Sequence, residues 1–154
     1  MTHHVILLRL LVSAGISGLI GFERERQGRA AGFRTHILVG VGSCLVMLTG
    51  IYCTELYGLQ AVDPTRMAAQ IISGIGFLGA GTIIRFRASV RGLTTAASLW
   101  AVGGIGIAVG VGFYDGAVLT GLIVIIALFV LSPVERVIRD KWRHSDEAGS
   151  GPEP

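Results

Sequence analysis

The chain has 154 residues, of which 51% are hydrophobic and only 15% are charged, whereas ordinary globular domains carry about a quarter of charged residues. This composition excludes a typical water-soluble domain and favours a helical bundle in lipid. The formal net charge of +3 is compatible with nucleic acid or anionic lipid, but the basic residues lie in short stretches between apolar spans and have no interleaved aromatic residues, which argues against nucleic acid.

Five apolar spans predict an all-α membrane protein of about five transmembrane helices. The spans cover about residues 5–22, 37–56, 67–84, 95–113 and 117–131, and each approaches the roughly 20 residues that cross a bilayer. Residues 1–132 therefore form one predicted transmembrane domain. No Lys or Arg precedes the first span and no small-x-small cleavage site follows it, so we expect no cleaved signal peptide.

The basic residues predict the orientation of the bundle. Eleven of the thirteen fall in alternate connections or after the fifth span: Arg24, Arg26, Arg29, Arg34, Arg85, Arg87, Arg91, Arg136, Arg139, Lys141 and Arg143. Since cytoplasmic loops are rich in Lys and Arg, we expect a cytoplasmic C-terminus and an external N-terminus. The sequence Ser132-Pro133-Val134-Glu135 resembles a capping box and predicts an amphipathic helix over residues 133–144, followed by a disordered tail over residues 145–154.

Small residues recur at helical spacing in the spans. Ser13, Ser17 and Gly21 repeat every fourth position, as do Gly106 and Gly110, which favours close helix packing in lipid. The segment GIGFLGAG, residues 74–81, matches a dinucleotide-binding pattern, but it lies inside an apolar span without the βαβ context that this pattern requires. Packing is the preferred interpretation of these glycines; the alternative is a locally unwound helix that lines an ion path.

Ionisable residues at membrane depth are candidates for function. Arg9 lies near the start of the first span, where it either reaches the outer headgroups or pairs with Glu55, Asp63 or Asp115. Asp63, followed by Pro64, has the pattern of a helix N-cap and is also a candidate ligand.

Two acids follow the first span although basic residues alone satisfy the topology rule. Glu23 and Glu25 are these acids. One interpretation is a helical pair of Glu25 with Arg29, and the other is a polar cluster in which one of these carboxylates meets Arg34 or Arg91. The sequence does not decide between them.

Catalytic patterns are weak in this sequence. His36 and His144 are isolated, and no His, Cys, Asp or Glu residues have metal-ligand spacing. We therefore expect no enzyme, no catalytic residue and no cofactor, and no magnesium site is identified.

Three sequence blocks resemble the MgtC/SapB family of bacterial membrane proteins over residues 9–131. They are GFERERQGRAAGFRTH at residues 21–36, DPTRMAAQIISGIGFLGAG at residues 63–81 and VRGLTTAASLWAVGGIG at residues 90–106. The resemblance implies a multi-pass protein of the bacterial inner (plasma) membrane that is linked to magnesium homeostasis, growth at low Mg²⁺ and survival of pathogens inside host cells. It also implies action through other membrane proteins. Longer relatives add a soluble C-terminal domain, for which we expect this chain to be too short.

The resemblance, together with the ionisable residues, gives a set of candidate functional positions. The polar set is Glu23, Arg24, Glu25, Arg34, Thr35, Asp63, Arg66, Gln70, Arg91, Thr94 and Thr95, and the glycine set is Gly74, Gly76, Gly79, Gly81 and Gly92; Leu93 and Trp100 also match the family. The main hypothesis is a homo-oligomeric regulator of partner membrane proteins in the lipid bilayer. The competing hypothesis is a transporter or channel for Mg²⁺ or another small ion.

Overall fold

The computed structural model describes residues 1–58, 63–87 and 89–130. Four long helices run over His3–Arg26 (α1), Phe33–Tyr57 (α2), Pro64–Thr82 (α3) and Leu93–Val111 (α4), and a fifth over Tyr114–Val130 (α5). The five helices confirm the predicted helical architecture. The predicted helix over residues 133–144, the tail over residues 145–154 and the last residue of the fifth span lie outside the described residues.

Three of these helices, α1, α2 and α4, are long and apolar enough to cross a membrane. In contrast, α3 begins with Pro64 and carries Arg66 and Gln70 in its first two turns, and α5 has only 17 residues by its bounds. Five crossings therefore remain a prediction. Large apolar side chains cover the outside of the bundle, including Leu11 and Leu19 on α1 and Leu38 on α2, as expected for helices that face hydrocarbon.

A two-stranded hairpin between α3 and α4 was not predicted. Its strands are β1 (Ile84–Phe86) and β2 (Ser89–Arg91), which pair antiparallel with Ile84 opposite Arg91. The third predicted span, which extended to Ile84, is therefore two residues too long, because the helix ends at Thr82 and Ile84 already belongs to the hairpin. The described part of the chain is mostly helical rather than all-α.

The core lies among α1, α2 and α4, with α5 packed against it. Its buried residues include Ile20 of α1, Leu48 of α2 and Val102 of α4, and Ala117 joins them from α5. We define the basic end of the bundle as the end of α1, the start of α2, the hairpin and the start of α4. This end carries seven arginines, Arg24, Arg26, Arg29, Arg34, Arg85, Arg87 and Arg91.

Small residues bring the three central helices together. A Cβ atom added at Gly40 of α2 would collide with the Ser17 hydroxyl of α1, and one added at Gly106 of α4 would collide with the carbonyl oxygen of Gly40. A Cβ atom added at Gly21 or Gly110 would also lie closer than 3 Å to an atom of α2. These contacts confirm the packing role predicted for the small residues of the first and fourth spans.

Candidate functional site

Arg24 is the central polar residue of the basic end. It lies in the last turn of α1 and is only 2% exposed. Its Nη2 atom donates a hydrogen bond to the hydroxyl oxygen of Thr95 at 3.4 Å, while its Nε atom is buried and has no partner among the described residues. Thr95, in the first turn of α4, is itself buried. The structure thus joins two predicted positions that are 71 residues apart in the chain.

His36 and Ser98 continue this polar layer. His36 is fully buried in the first turns of α2. Its Nδ1 atom lies 2.8 Å from the carbonyl oxygen of Gly32, and its Nε2 atom lies 3.0 Å from the Ser98 hydroxyl of α4. Because a carbonyl oxygen only accepts, Nδ1 carries a proton, and the ring thereby ties α2 to α4.

Three side chains linked by hydrogen bonds, those of Glu23, Gln27 and Arg29, cover the end of α1. Gln27 donates from Nε2 to a carboxylate oxygen of Glu23, and Arg29 donates from Nε and Nη2 to Gln27 Oε1, at 3.3 Å each. The other carboxylate oxygen of Glu23 is buried and has no partner among the described residues. Glu23 is therefore held against α1 and makes no ion pair with Arg24 within 4 Å in the described part.

Glu25 caps the next helix, a role that differs from the predicted pair with Arg29 and from the predicted cluster with Arg34 or Arg91. Its Oε2 atom accepts a hydrogen bond from the backbone N–H of Phe33 at 2.7 Å. Phe33 is the first residue of α2, and the N-cap residue Gly32 provides no side-chain acceptor. A carboxylate at a helix N-terminus satisfies a free N–H group and interacts favourably with the helix dipole. Arg34 and Arg91 are exposed.

A cavity of about 370 Å³ opens beside Arg24. Its polar lining consists of Arg24, Gln27, Arg29, Thr94 and Ser98, and its apolar lining comes from α4 and α5. A second cavity of about 430 Å³ separates α2 from α3 and includes Thr35, Gln70 and Gly74. The predicted polar set therefore does not form one site. Arg24 and Thr94 line the first cavity, whereas Thr35 and Gln70 line the second.

Asp63 lies at the other end of the bundle and caps α3. Its Oδ1 atom accepts hydrogen bonds from the backbone N–H of Thr65 at 2.9 Å and from the Thr65 hydroxyl at 2.7 Å. These bonds hold the pKa of Asp63 below its ordinary value, and the bond from the Thr65 hydroxyl has the larger effect. Asp63 and Arg66 are exposed. The geometry supports the structural interpretation of Asp63, which the Asp-Pro pattern had suggested.

Arg9 binds a backbone carbonyl rather than any of the three acids predicted as its partner. Its Nη1 atom donates to the carbonyl oxygen of Gly110 at 2.7 Å, near the end of α4. A cation at a helix C-terminus satisfies a free carbonyl and complements the dipole. Glu55 instead accepts from the amino group of Met1 at 3.1 Å.

The predicted glycine set is wholly helical between Gly74 and Gly81. Gly79 approaches Ala96 of α4, but a Cβ atom at Gly74, Gly76 or Gly81 would meet nothing within 4 Å. Gly92 has φ +91° and precedes α4. Gly74 and Gly81, seven positions apart, lie on one side of α3, and Gly76 lies about 200° around the helix from Gly74, so the open glycines do not share one face.

Four residues of the basic end were not among the predicted positions. They are Gln27, Arg29, His36 and Ser98. His36 and Ser98 lie within the sequence blocks that resemble the family, so their polarity inside an apolar helix was the signal that could have identified them. Among the residues that the structure describes, no three His, Cys, Asp or Glu side chains form a group that could hold a metal ion.

Comparison with known proteins identifies the family. The model of the MgtC family matches residues 10–137. The chain belongs to the MgtC family. This confirms the resemblance drawn from the three sequence blocks. No solved structure matches the chain.

Several curated relatives share about 40% identity with this MgtC family member. Protein MgtC of Salmonella typhimurium strain LT2 is 42% identical over 125 residues, covering 81% of this chain and 52% of the relative. Protein SapB of Bacillus subtilis is 41% identical over 137 residues, covering 86% and 59%. The Escherichia coli K12 protein named "Putative magnesium transporter YhiD" is 42% identical over 124 residues, covering 76% and 58%. The chain thus spans between half and three fifths of these relatives.

Proposed function

We propose that this chain is a non-enzymatic, multi-pass protein of the bacterial plasma membrane that acts in magnesium homeostasis by regulating partner membrane proteins. Membership of the MgtC family and the magnesium-related name of the Escherichia coli relative support the link to magnesium. The regulatory part of the proposal depends on the closed centre of the bundle and on the exposed surface of α3 around Gly76 and Phe77.

The closed centre separates the polar ends of the bundle. Between Arg24 at one end and Arg9 at the other, the contacts of α1, α2 and α4 consist of small and apolar side chains such as Ser17, Cys44 and Val102. Several would-be Cβ positions there lie closer than 3 Å to neighbouring atoms. Such packing has no room for a hydrated Mg²⁺, which keeps several of its waters. It supports a protein that acts through its surface.

The surface of α3 is the best candidate for a partner contact. Only Ile75 and Gly79 of this helix are buried, and Phe77, between them, is 81% exposed. Gly76, next to Phe77 on the exposed surface of this helix, has open space around its Cβ position and allows another helix to approach the backbone closely. We propose that the exposed surface around Gly76 and Phe77 contacts a partner helix, either of a regulated membrane protein or of a second copy in a homo-oligomer.

Leucine at Gly76 is expected to block that contact without disturbing the fold, because the position is open. Cells that depend on the chain for growth at low Mg²⁺ should lose that growth with Gly76→Leu and keep it with Gly15→Leu, an open position on α1. Membrane abundance and the thermal unfolding midpoint of each purified variant serve as folding controls. Normal growth with a folded Gly76→Leu variant would contradict docking through α3.

The alternative is a transporter or channel for Mg²⁺ or another small ion. The name of the Escherichia coli relative supports it, as does the groove between α2 and α3, which contains Gln70 and Gly74. In this alternative Asp63, Arg66 and Gln70 lie along the ion path.

Mg²⁺ entry into proteoliposomes that contain the purified protein distinguishes the two functions. We expect no entry above that of empty vesicles. Asp63→Asn is the matched variant, since asparagine also caps helices and should preserve α3. Entry with the native chain that Asp63→Asn abolishes would establish transport through the Asp63 path. Entry that survives the substitution would also replace regulation as the primary function and would place the path elsewhere.

A further inference from the structure

The cavity beside Arg24 combines a cationic end with an apolar wall. The end of α1 and the start of α4 supply its polar side chains, and the second half of α5 supplies Val124, Ala127 and Leu128. At the polar end lie two guanidinium groups, those of Arg24 and Arg29. A cavity of this kind fits a ligand that is anionic at one end and apolar along its length.

Arg24 provides the first argument for an anion. A buried guanidinium without a counter-charge is costly, because burial removes its hydration. Among the described residues, Arg24 has no acidic partner within 4 Å; an ion pair at that distance joins Met1 to Glu55 at the opposite end of the bundle. Arg24 makes one long hydrogen bond, to Thr95, and its Nε–H has no described acceptor. The Glu23 carboxylate interacts with Arg24 only beyond ion-pair distance, and Arg29 opposes it. An anion in the cavity would supply both the acceptor and a counter-charge in direct contact.

The start of α4 provides the second argument. The helix has 19 residues, and its N-cap, Gly92, offers no side-chain acceptor for the first N–H groups. Thr94, in the first turn, lines the cavity. Free N–H groups and the positive end of a helix dipole form a common phosphate-binding arrangement. Arg29 adds a second cation that is exposed and therefore accessible to the ligand.

The apolar wall identifies the source of the phosphate. Ala97 and Ala101 of α4 face the three α5 residues across the cavity. We propose that the cavity binds the phosphate of an anionic phospholipid through Arg24, Arg29 and the start of α4, with an acyl chain between α4 and α5. The basic end is where lipid headgroups lie if α1 and α4 cross the membrane. This proposal does not depend on the role in magnesium homeostasis.

Native mass spectrometry of the purified chain with added phosphatidylglycerol or phosphatidylcholine tests the site. We expect the native chain to retain phosphatidylglycerol in preference to phosphatidylcholine. Arg29→Gln should lower that retention about fivefold, the loss expected for one basic residue at an anionic lipid surface. Arg34→Gln, an exposed arginine at the same end that does not line the cavity, should change it less than Arg29→Gln. Equal losses in both variants would indicate general attraction and overturn the site.

Two further measurements distinguish a lipid from free phosphate. Ala127→Phe places a ring in the apolar wall and should abolish retention of phosphatidylglycerol. Inorganic phosphate at millimolar concentration should not displace the lipid from the native chain. If phosphate displaces it, or if Ala127→Phe retains it fully, the acyl-chain part of the proposal is wrong. Arg24→Gln should also lose the lipid, but Arg29→Gln decides the matter if Arg24→Gln does not fold.

Discussion

Alanine at Gly106 is expected to destabilise the bundle by about 1–3 kcal/mol, the cost of overpacking a close-packed core. The added Cβ would collide with the Gly40 carbonyl oxygen, lie 2.7 Å from Ser43 Cβ and lie 3.2 Å from the backbone nitrogen of Cys44. Two of these three atoms belong to the backbone of α2, so they cannot move aside by a rotamer change. Helices α2 and α4 must therefore separate.

Gly104 provides the matched control on the same helix. A Cβ at Gly104 would meet nothing within 4 Å, and alanine has a higher helix propensity than glycine by about 1 kcal/mol. Gly104→Ala should therefore be neutral or stabilising. Unfolding of both variants in detergent, followed by tryptophan fluorescence, measures the difference. Equal stabilities would mean that α2 and α4 do not approach at Gly106 as the structure shows.

Alanine at Gly92 is expected to cost about 2–4 kcal/mol, because it combines backbone strain with a collision. Gly92 has φ +91°, which side-chain-bearing residues rarely adopt, and its added Cβ would overlap the carbonyl oxygen of Thr82. Thr82 ends α3, and Gly92 precedes α4. The substitution should therefore force apart the two helices that the hairpin connects and shift Thr94 and Thr95.

Gly28→Ala separates the two contributions. Gly28 has φ +65° but open space around its Cβ position, so alanine there should cost only the strain of the left-handed conformation, about 1–2 kcal/mol. The same unfolding measurement applies, and phosphatidylglycerol retention provides a second readout. If Gly92→Ala is no more destabilising than Gly28→Ala, the close approach of Thr82 to Gly92 is not a constraint on the fold.

The helices were predictable because each has a continuous apolar run of sufficient length. Spans one, two and four correspond to α1, α2 and α4, and the small-residue spacing at Ser17 and Gly106 correctly indicated their close contacts. The hairpin was not predictable from the same signal. Its strands have three residues each, which is too short for an alternating pattern. Arg85 and Arg87 were interpreted only as topology signals, and Arg91 also as a candidate member of a polar cluster.

The candidate site was predictable residue by residue but not as an arrangement. Arg24 and Thr95 were both named, and they do meet. Asp63 and Gln70, named in the same set, lie elsewhere, because resemblance identifies positions and says nothing about which of them share a neighbourhood. The contact of His36 with Ser98 spans 62 positions and depends on how α2 crosses α4. Such contacts follow from tertiary packing, for which the single sequence carries no local signal.

The arginines at the two ends of α1 have a mechanical consequence. Arg24 bonds to Thr95 near the start of α4, and Arg9 bonds to Gly110 near its end. The two hydrogen bonds are 15 residues apart on each helix, which is about 22 Å of helix length. Sliding or rotating α1 along α4 would break both hydrogen bonds together, so the two arginines fix the register of these two helices from opposite ends.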